Sequence, residues 1–142
     1  MSVPWAVVEH TADVGIEVRA ASLDALFVDA AAGFCDVVTE AAGIGAEEEH
    51  AFAVEAAGLD LLLVTWLEEL LFRFETTGVL YPRGEASVEG KGDSWSLRAR
   101  MRGERFDAAR HPLKVQVKAV TYHGLEVARD EGGWRARVIF DI

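Results

Sequence analysis

Leu59-Asp60-Leu61-Leu62-Leu63-Val64-Thr65-Trp66-Leu67-Glu68-Glu69-Leu70-Leu71-Phe72-Arg73-Phe74-Glu75-Thr76 is the stretch that decides the fold. Leu59, Leu62, Leu63, Trp66, Leu67, Leu70, Leu71 and Phe74 recur at spacings of three and four, which places them on one face of an α-helix. Leu61 and Val64 broaden that face. An apolar face so wide predicts a central helix packed on more than one side. Glu68, Glu69 and Arg73 mark its wet edge, and Glu69 and Arg73 are four apart, the spacing of a weak surface pair.

Upstream, Ser22 is a good N-cap with Asp24 in the first turn, where an acid complements the helix dipole. Leu23, Leu26, Phe27, Ala30, Phe34, Val37 and Val38 follow with helical spacing, so a first helix is predicted to about Glu40. Val3 to Val8 and Ile16 to Ala20 read as short strands around a loop from His10 to Gly15. Gly43 and Gly45 end the first helix, Glu47 to Glu49 form a solvated acidic loop, and Phe52 to Ala56 alternates as a strand. Downstream of Thr77-Gly78 the pattern is all β. Ala86 to Lys91 and Ser94 to Gly103 make a hairpin around Gly92-Asp93. Asp107 to Pro112 is a polar loop, and Val115, Val117, Ala119 and Thr121 alternate along a strand. Leu125 to Arg129 and Trp134 to Ile142 form a second hairpin around Gly132-Gly133. The expected class is α+β: one two-layer domain, residues 1–142, with two main helices on a mostly antiparallel sheet.

The 142 residues are 51% hydrophobic, enough for a sizeable core and too many for a disordered chain. The net charge of -10 argues against a large phosphate-backbone footprint, which needs clustered Lys and Arg. Only Arg98, Arg100 and Arg102 gather on one strand face, either as a solvated face or as a local anion or protein contact. The single Cys, Cys35, excludes an intrachain disulfide and a Cys-based zinc cage, and its place in an apolar stripe makes it a small core residue. No basic-then-apolar leader is visible, and the longest apolar run, Leu61 to Leu67, is far short of a membrane span. These features predict a soluble cytoplasmic protein with no membrane contact.

The final strand places Trp134, Ala136, Val138 and Phe140 on one face, and Asp141 beside the carboxylate of Ile142. Two adjacent anions in a folded edge need a cation or hydrogen-bond donors to face them, unless this is a solvated strand end with a spare acid. His10 and Asp13 flank the start of an early strand; a turn role is the alternative. Lys118-Ala119-Val120-Thr121-Tyr122-His123 is unusually polar for a strand. Lys118 could pair with carboxylates, bind phosphate, or lie on a solvated face. No phosphate loop, nucleophile elbow or His-x-x-x-His zinc pair is present, so the residues themselves specify no catalytic machinery.

Several segments in order resemble the archease family: His10 to Ile16 (HTADVGI), Leu61 to Phe72 (LLLVTWLEELLF), Glu104 to His111 (ERFDAARH), Lys114 to His123 (KVQVKAVTYH) and Ile139 to Ile142 (IFDI). The likeness runs from about Trp5 to Ile142. Two positions depart from the family pattern: Glu68 where Asn is common, and Leu125 where Met or another apolar residue follows the glycine. The resemblance implies a non-enzymatic helper of the GTP- and manganese-dependent RNA ligase that joins 2′,3′-cyclic or 3′-phosphate ends to 5′-hydroxyl ends in tRNA splicing and RNA repair. It implies that the helper promotes guanylylation of the ligase and permits repeated turnover. It also implies a metal site of Asp13, Asp141 and the terminal carboxylate of Ile142, with His10, Lys118 and His123 as motif residues nearby. Three carboxylates without Cys suit a hard cation, calcium first, with magnesium and manganese as the others. No direct stable nucleic-acid binding is expected. A metal-dependent hydrolase using Asp13, His123 and Asp141, and a chaperone or modulator of a tRNA-modifying methyltransferase, are the alternative readings.

Overall fold

The computed structural model describes residues 4–9 and 13–142. Its elements in chain order are β1 (Trp5–Glu9), β2 (Asp13–Ala20), α1 (Leu23–Val38), β3 (Glu48–Ala56), α2 (Leu59–Thr77), β4 (Val79–Lys91), β5 (Ser94–Arg105), β6 (Ala119–Val120), β7 (Glu126–Asp130) and β8 (Gly133–Asp141). The α+β class and both helices are as the periodicity predicts. The strands, however, form two sheets. One has the order β1-β2-β8-β6, with β7 also on β8, and the other is β3-β5-β4. Every pairing is antiparallel.

The helices begin and end where local chemistry directs. Ser22 Oγ accepts the Ala25 N–H at 3.1 Å, satisfying one of the orphan donors at the start of α1. The end of α2 is capped by Gly78 at φ 79°, a left-handed conformation that glycine adopts without steric cost. Both helices pack against strands of both sheets, so one core serves the whole fold. Trp66 is fully buried at its centre, and its indole N–H donates to the Phe27 carbonyl of α1 at 2.9 Å. Phe52 meets Trp66 and Tyr81 edge-on, at centroid distances of 5.3 and 5.0 Å. The Glu69–Arg73 pair forms at 2.8 Å, and Arg73 also lies over the Phe52 ring. Leu61 departs from the expected face: it is 40% exposed.

Three strand expectations are corrected. Glu48 and Glu49 belong to β3 and not to a loop, because β5 is long enough to pair with them as Gly103 and Arg102. There Glu49 meets Arg100 and Arg102, and Glu85 also holds Arg102, so much of the arginine stripe is neutralised in place. Secondly, β2 starts at Asp13, inside the expected loop, because β8 supplies partners out to Asp141. Thirdly, the alternating stretch 115–121 is a strand only at Ala119–Val120. The same edge of β8 is occupied by β7 from Gly133 to Arg137, leaving only its last residues free. The preceding chain docks instead on the end of α1, where the Lys114 N–H donates to the Val38 carbonyl at 2.8 Å. Cys35 is buried in the core, as its stripe suggests. Among the described residues no helix is long and apolar enough to cross a membrane.

Candidate functional site

Asp13 opens β2 and Asp141 closes β8. The antiparallel register makes them direct partners. Their neighbours Val14 and Phe140 are buried, so the period of two turns both carboxylates to the face away from the core. Side chains directly opposite in this way have Cβ atoms about 4.5–5.5 Å apart, and like charges there repel. Ala119 of β6 completes the row on the far side of Asp141. The Lys118 N–H donates to the Asp141 carbonyl at 2.8 Å, and the Thr121 N–H to the Ile139 carbonyl at 2.9 Å, which pins this segment beside the acid pair.

Asp13 Oδ1 is buried and has no hydrogen-bond partner among the described residues. A buried acceptor without a donor is costly and calls for an explanation. Here it belongs to one of two carboxylates set face to face, an all-oxygen pair that suits a hard cation. The side chains of Lys118 and His123 are exposed, and Ile142 is half-buried against the core. His10 lies outside the described residues. Among those described, no three His, Cys, Asp or Glu side chains gather as a metal-holding group. Asp13 and Asp141 could thus offer a cation two side-chain carboxylates, fewer than a closed metal site needs.

A second polar cluster escaped the sequence reading. Glu104 and His111 are only 5% and 3% exposed, although both are polar side chains and His111 falls in the stretch that reads as a polar loop. Glu104 Oε1 accepts the Gly45 N–H at 2.8 Å and faces His111 Nε2 at 3.0 Å, while Oε2 accepts from Arg110 at 2.9 Å. The Gly45 N–H, then Arg110 and His111, hold the Glu104 carboxyl down to about 2 against the opposing effect of burial. The only sequence trace of this cluster was the segment ERFDAARH, and nothing within that segment announces burial.

The chain matches the Archease protein family over residues 5–142. The chain belongs to the archease family. It is 40% identical to protein archease of Methanopyrus kandleri, over 98% of this chain and 99% of the relative. It is 34% identical to protein archease of Pyrococcus furiosus, over 97% and 98% of the two chains. The solution structure of Methanobacterium thermoautotrophicum protein 1598 superposes with a TM-score of 0.86 at 29% identity, covering 99% of this chain and all of that one. In this member of the family the Asp13–Asp141 pair stands at one end of the larger sheet.

Proposed function

We propose that this archease-family protein is a non-enzymatic activator of a GTP-dependent RNA ligase, acting through a divalent cation held by Asp13 and Asp141. The observation that supports this reading is the cross-strand opposition of the two aspartates, one of which has a buried oxygen without a donor. Asp13 and Asp141 would hold the cation, the carboxylate of Ile142 would add a third oxygen donor, and His10, Lys118 and His123 are the further motif residues that the family resemblance assigns to the site. Calcium, magnesium and manganese all match the donor set. A cation held by these carboxylates would offset the charge of the acid row and would supply positive charge toward the partner's nucleotide pocket. The chain's own residues position the row: β6 and the Lys118 N–H fix Asp141 from one side, and β2 fixes Asp13 from the other.

The acidic balance favours a protein partner over a polynucleotide. Ligase guanylylation and turnover, measured with GTP and manganese at substoichiometric ligase, test the proposal. The protein should raise the guanylylated fraction and allow more than one round, and Asp13→Ala and Asp141→Ala should fold yet fail to do so. RNA joining or cleavage by the protein alone, or ligase turnover unchanged by its presence, would overturn the reading.

A further inference from the structure

We infer that the solvent face of α2 is a docking surface for a basic amphipathic helix of another protein. Leu61 and Phe72, both on α2, are large hydrophobic side chains left 40% and 56% exposed. They stand about three helical turns apart, on one line along the helix, a separation of about 16 Å. A single exposed apolar residue is ordinary on a protein surface, whereas apolar residues aligned on one helix face form a patch. Thr65 and Thr76 lie on the same face. Their hydroxyls donate to the Leu61 and Phe72 carbonyls at 2.8 Å, so both are turned back to the helix backbone. Leu61, Thr65, Glu68 and Phe72 recur at four, three and four, the spacing by which one helix packs along another.

The charge on this face is of one sign. Glu68 stands between Leu61 and Phe72, Glu75 follows Phe72 within one turn, and both are exposed. Arg73 is the only base in α2, and it is engaged at the flank with Glu69 and the Phe52 ring. Among the described residues no basic side chain stands within ion-pair distance of Glu68 or Glu75. Unpaired acids beside apolar anchors select the reverse pattern in a partner: apolar residues at threes and fours with Lys or Arg beside them. A second copy of this chain does not supply that pattern. Antiparallel pairing of two α2 helices would set Leu61 against Phe72, but it would crowd the Glu68 side chains of both copies with no base on either face. The same acids repel a phosphate backbone or an anionic membrane surface. No residue of the Asp13–Asp141 row takes part.

Calorimetric titration of the full chain with synthetic helical peptides tests this. One peptide carries leucines at threes and fours with lysines beside them, a second has glutamate for each lysine, and a third has serine for each leucine. The first should bind one to one, and the other two should not bind. Leu61→Ser combined with Phe72→Ser keeps every charge and should weaken the first peptide about tenfold or more, the loss expected of two apolar anchors. Glu68→Lys combined with Glu75→Lys should reverse the choice, losing the lysine peptide and binding the glutamate peptide. Amide shifts in the NMR spectrum of the parent should move at Leu61, Thr65, Glu68 and Phe72 on adding the first peptide. If the serine peptide binds as well as the leucine peptide, or the double serine variant binds as the parent does, the attraction is general acidity and the inference fails. Shifts confined to other elements, or a choice of peptide that the lysine variant does not reverse, also overturn it. A parent that sediments as a dimer, and a Phe72→Ser variant that does not, would make the occupant a second copy and overturn it too. These readouts use neither metal nor ligase, so failure of the metal reading leaves them unchanged.

Discussion

His111 Nε2 lies 3.0 Å from Glu104 Oε1, and both side chains are almost wholly buried. The other ring nitrogen, Nδ1, accepts the Asp107 N–H at 2.9 Å. An acceptor at Nδ1 requires the ring's proton to sit on Nε2, so the histidine donates to the carboxylate. The imidazole thereby ties the loop after β5 to the end of that strand, and the Gly45 N–H brings the loop after α1 onto the same carboxylate.

Stability should fall at acid pH because of this cluster. The Glu104 carboxyl is held at about 2, below its ordinary value of 4.5. A group lowered on folding contributes stability that is complete above about 4.5 and lost as pH falls toward about 2. Glu104→Gln should remove that part of the pH dependence and cost about 1–3 kcal/mol at neutral pH. Urea unfolding at neutral pH and through the acid range from about 4.5 to about 2.5, where this linkage acts, checks both expectations. A variant with the parent's acid limb would show that other carboxylates govern it.

Trp66→Ala should cost roughly 3–5 kcal/mol, a large part of a typical total of about 5–15 kcal/mol. The substitution opens a cavity between α2, Phe52 and α1 and leaves the Phe27 carbonyl without its donor. Chemical denaturation measures the change. An unmoved midpoint in a cooperatively folded variant would contradict the burial of this side chain.

The opposed aspartates make a prediction in two parts. Without metal, Asp13→Asn should raise stability by about 0.2–1 kcal/mol by removing a like-charge cross-strand pair. With excess calcium or manganese the parent should gain stability by mass action, about 2.7 kcal/mol at a hundred times the dissociation constant, and the variant should gain none. Thermal unfolding in chelator and in metal compares the two. A metal-induced rise of equal size in both proteins would place the cation elsewhere.

Gly103→Ala should be strongly destabilising. A Cβ on Gly103 would overlap the Leu80 carbonyl oxygen, next to the bulge in β4 between Leu80 and Arg83. The clash is with backbone, which cannot swing aside as a flexible side chain can. Low soluble yield and a lowered midpoint are expected, whereas Gly92→Ala meets open space and costs only the strain of its φ of 63°.

The sequence alone determined both helices, because their evidence is local: a 3.6-residue period, the serine cap at Ser22 and the glycine stop at Gly78. It also determined the β-rich second half and the candidate acids Asp13 and Asp141 by resemblance. Only the tertiary structure decided which strands pair. The alternation at Val115 to Thr121 is a true β pattern, yet β7 already occupies that edge of β8, and no local pattern reports a competitor. The division into two sheets has the same cause, since a strand's sequence shows which face is apolar but not which partner it meets. His111 falls in a stretch that reads as a polar loop and Glu104 in none of the assigned elements, until Gly45, 59 residues before Glu104, brings its N–H to the carboxylate. Asp13 and Asp141 stand at opposite ends of the chain, and only the β2–β8 register sets the two separate acids face to face.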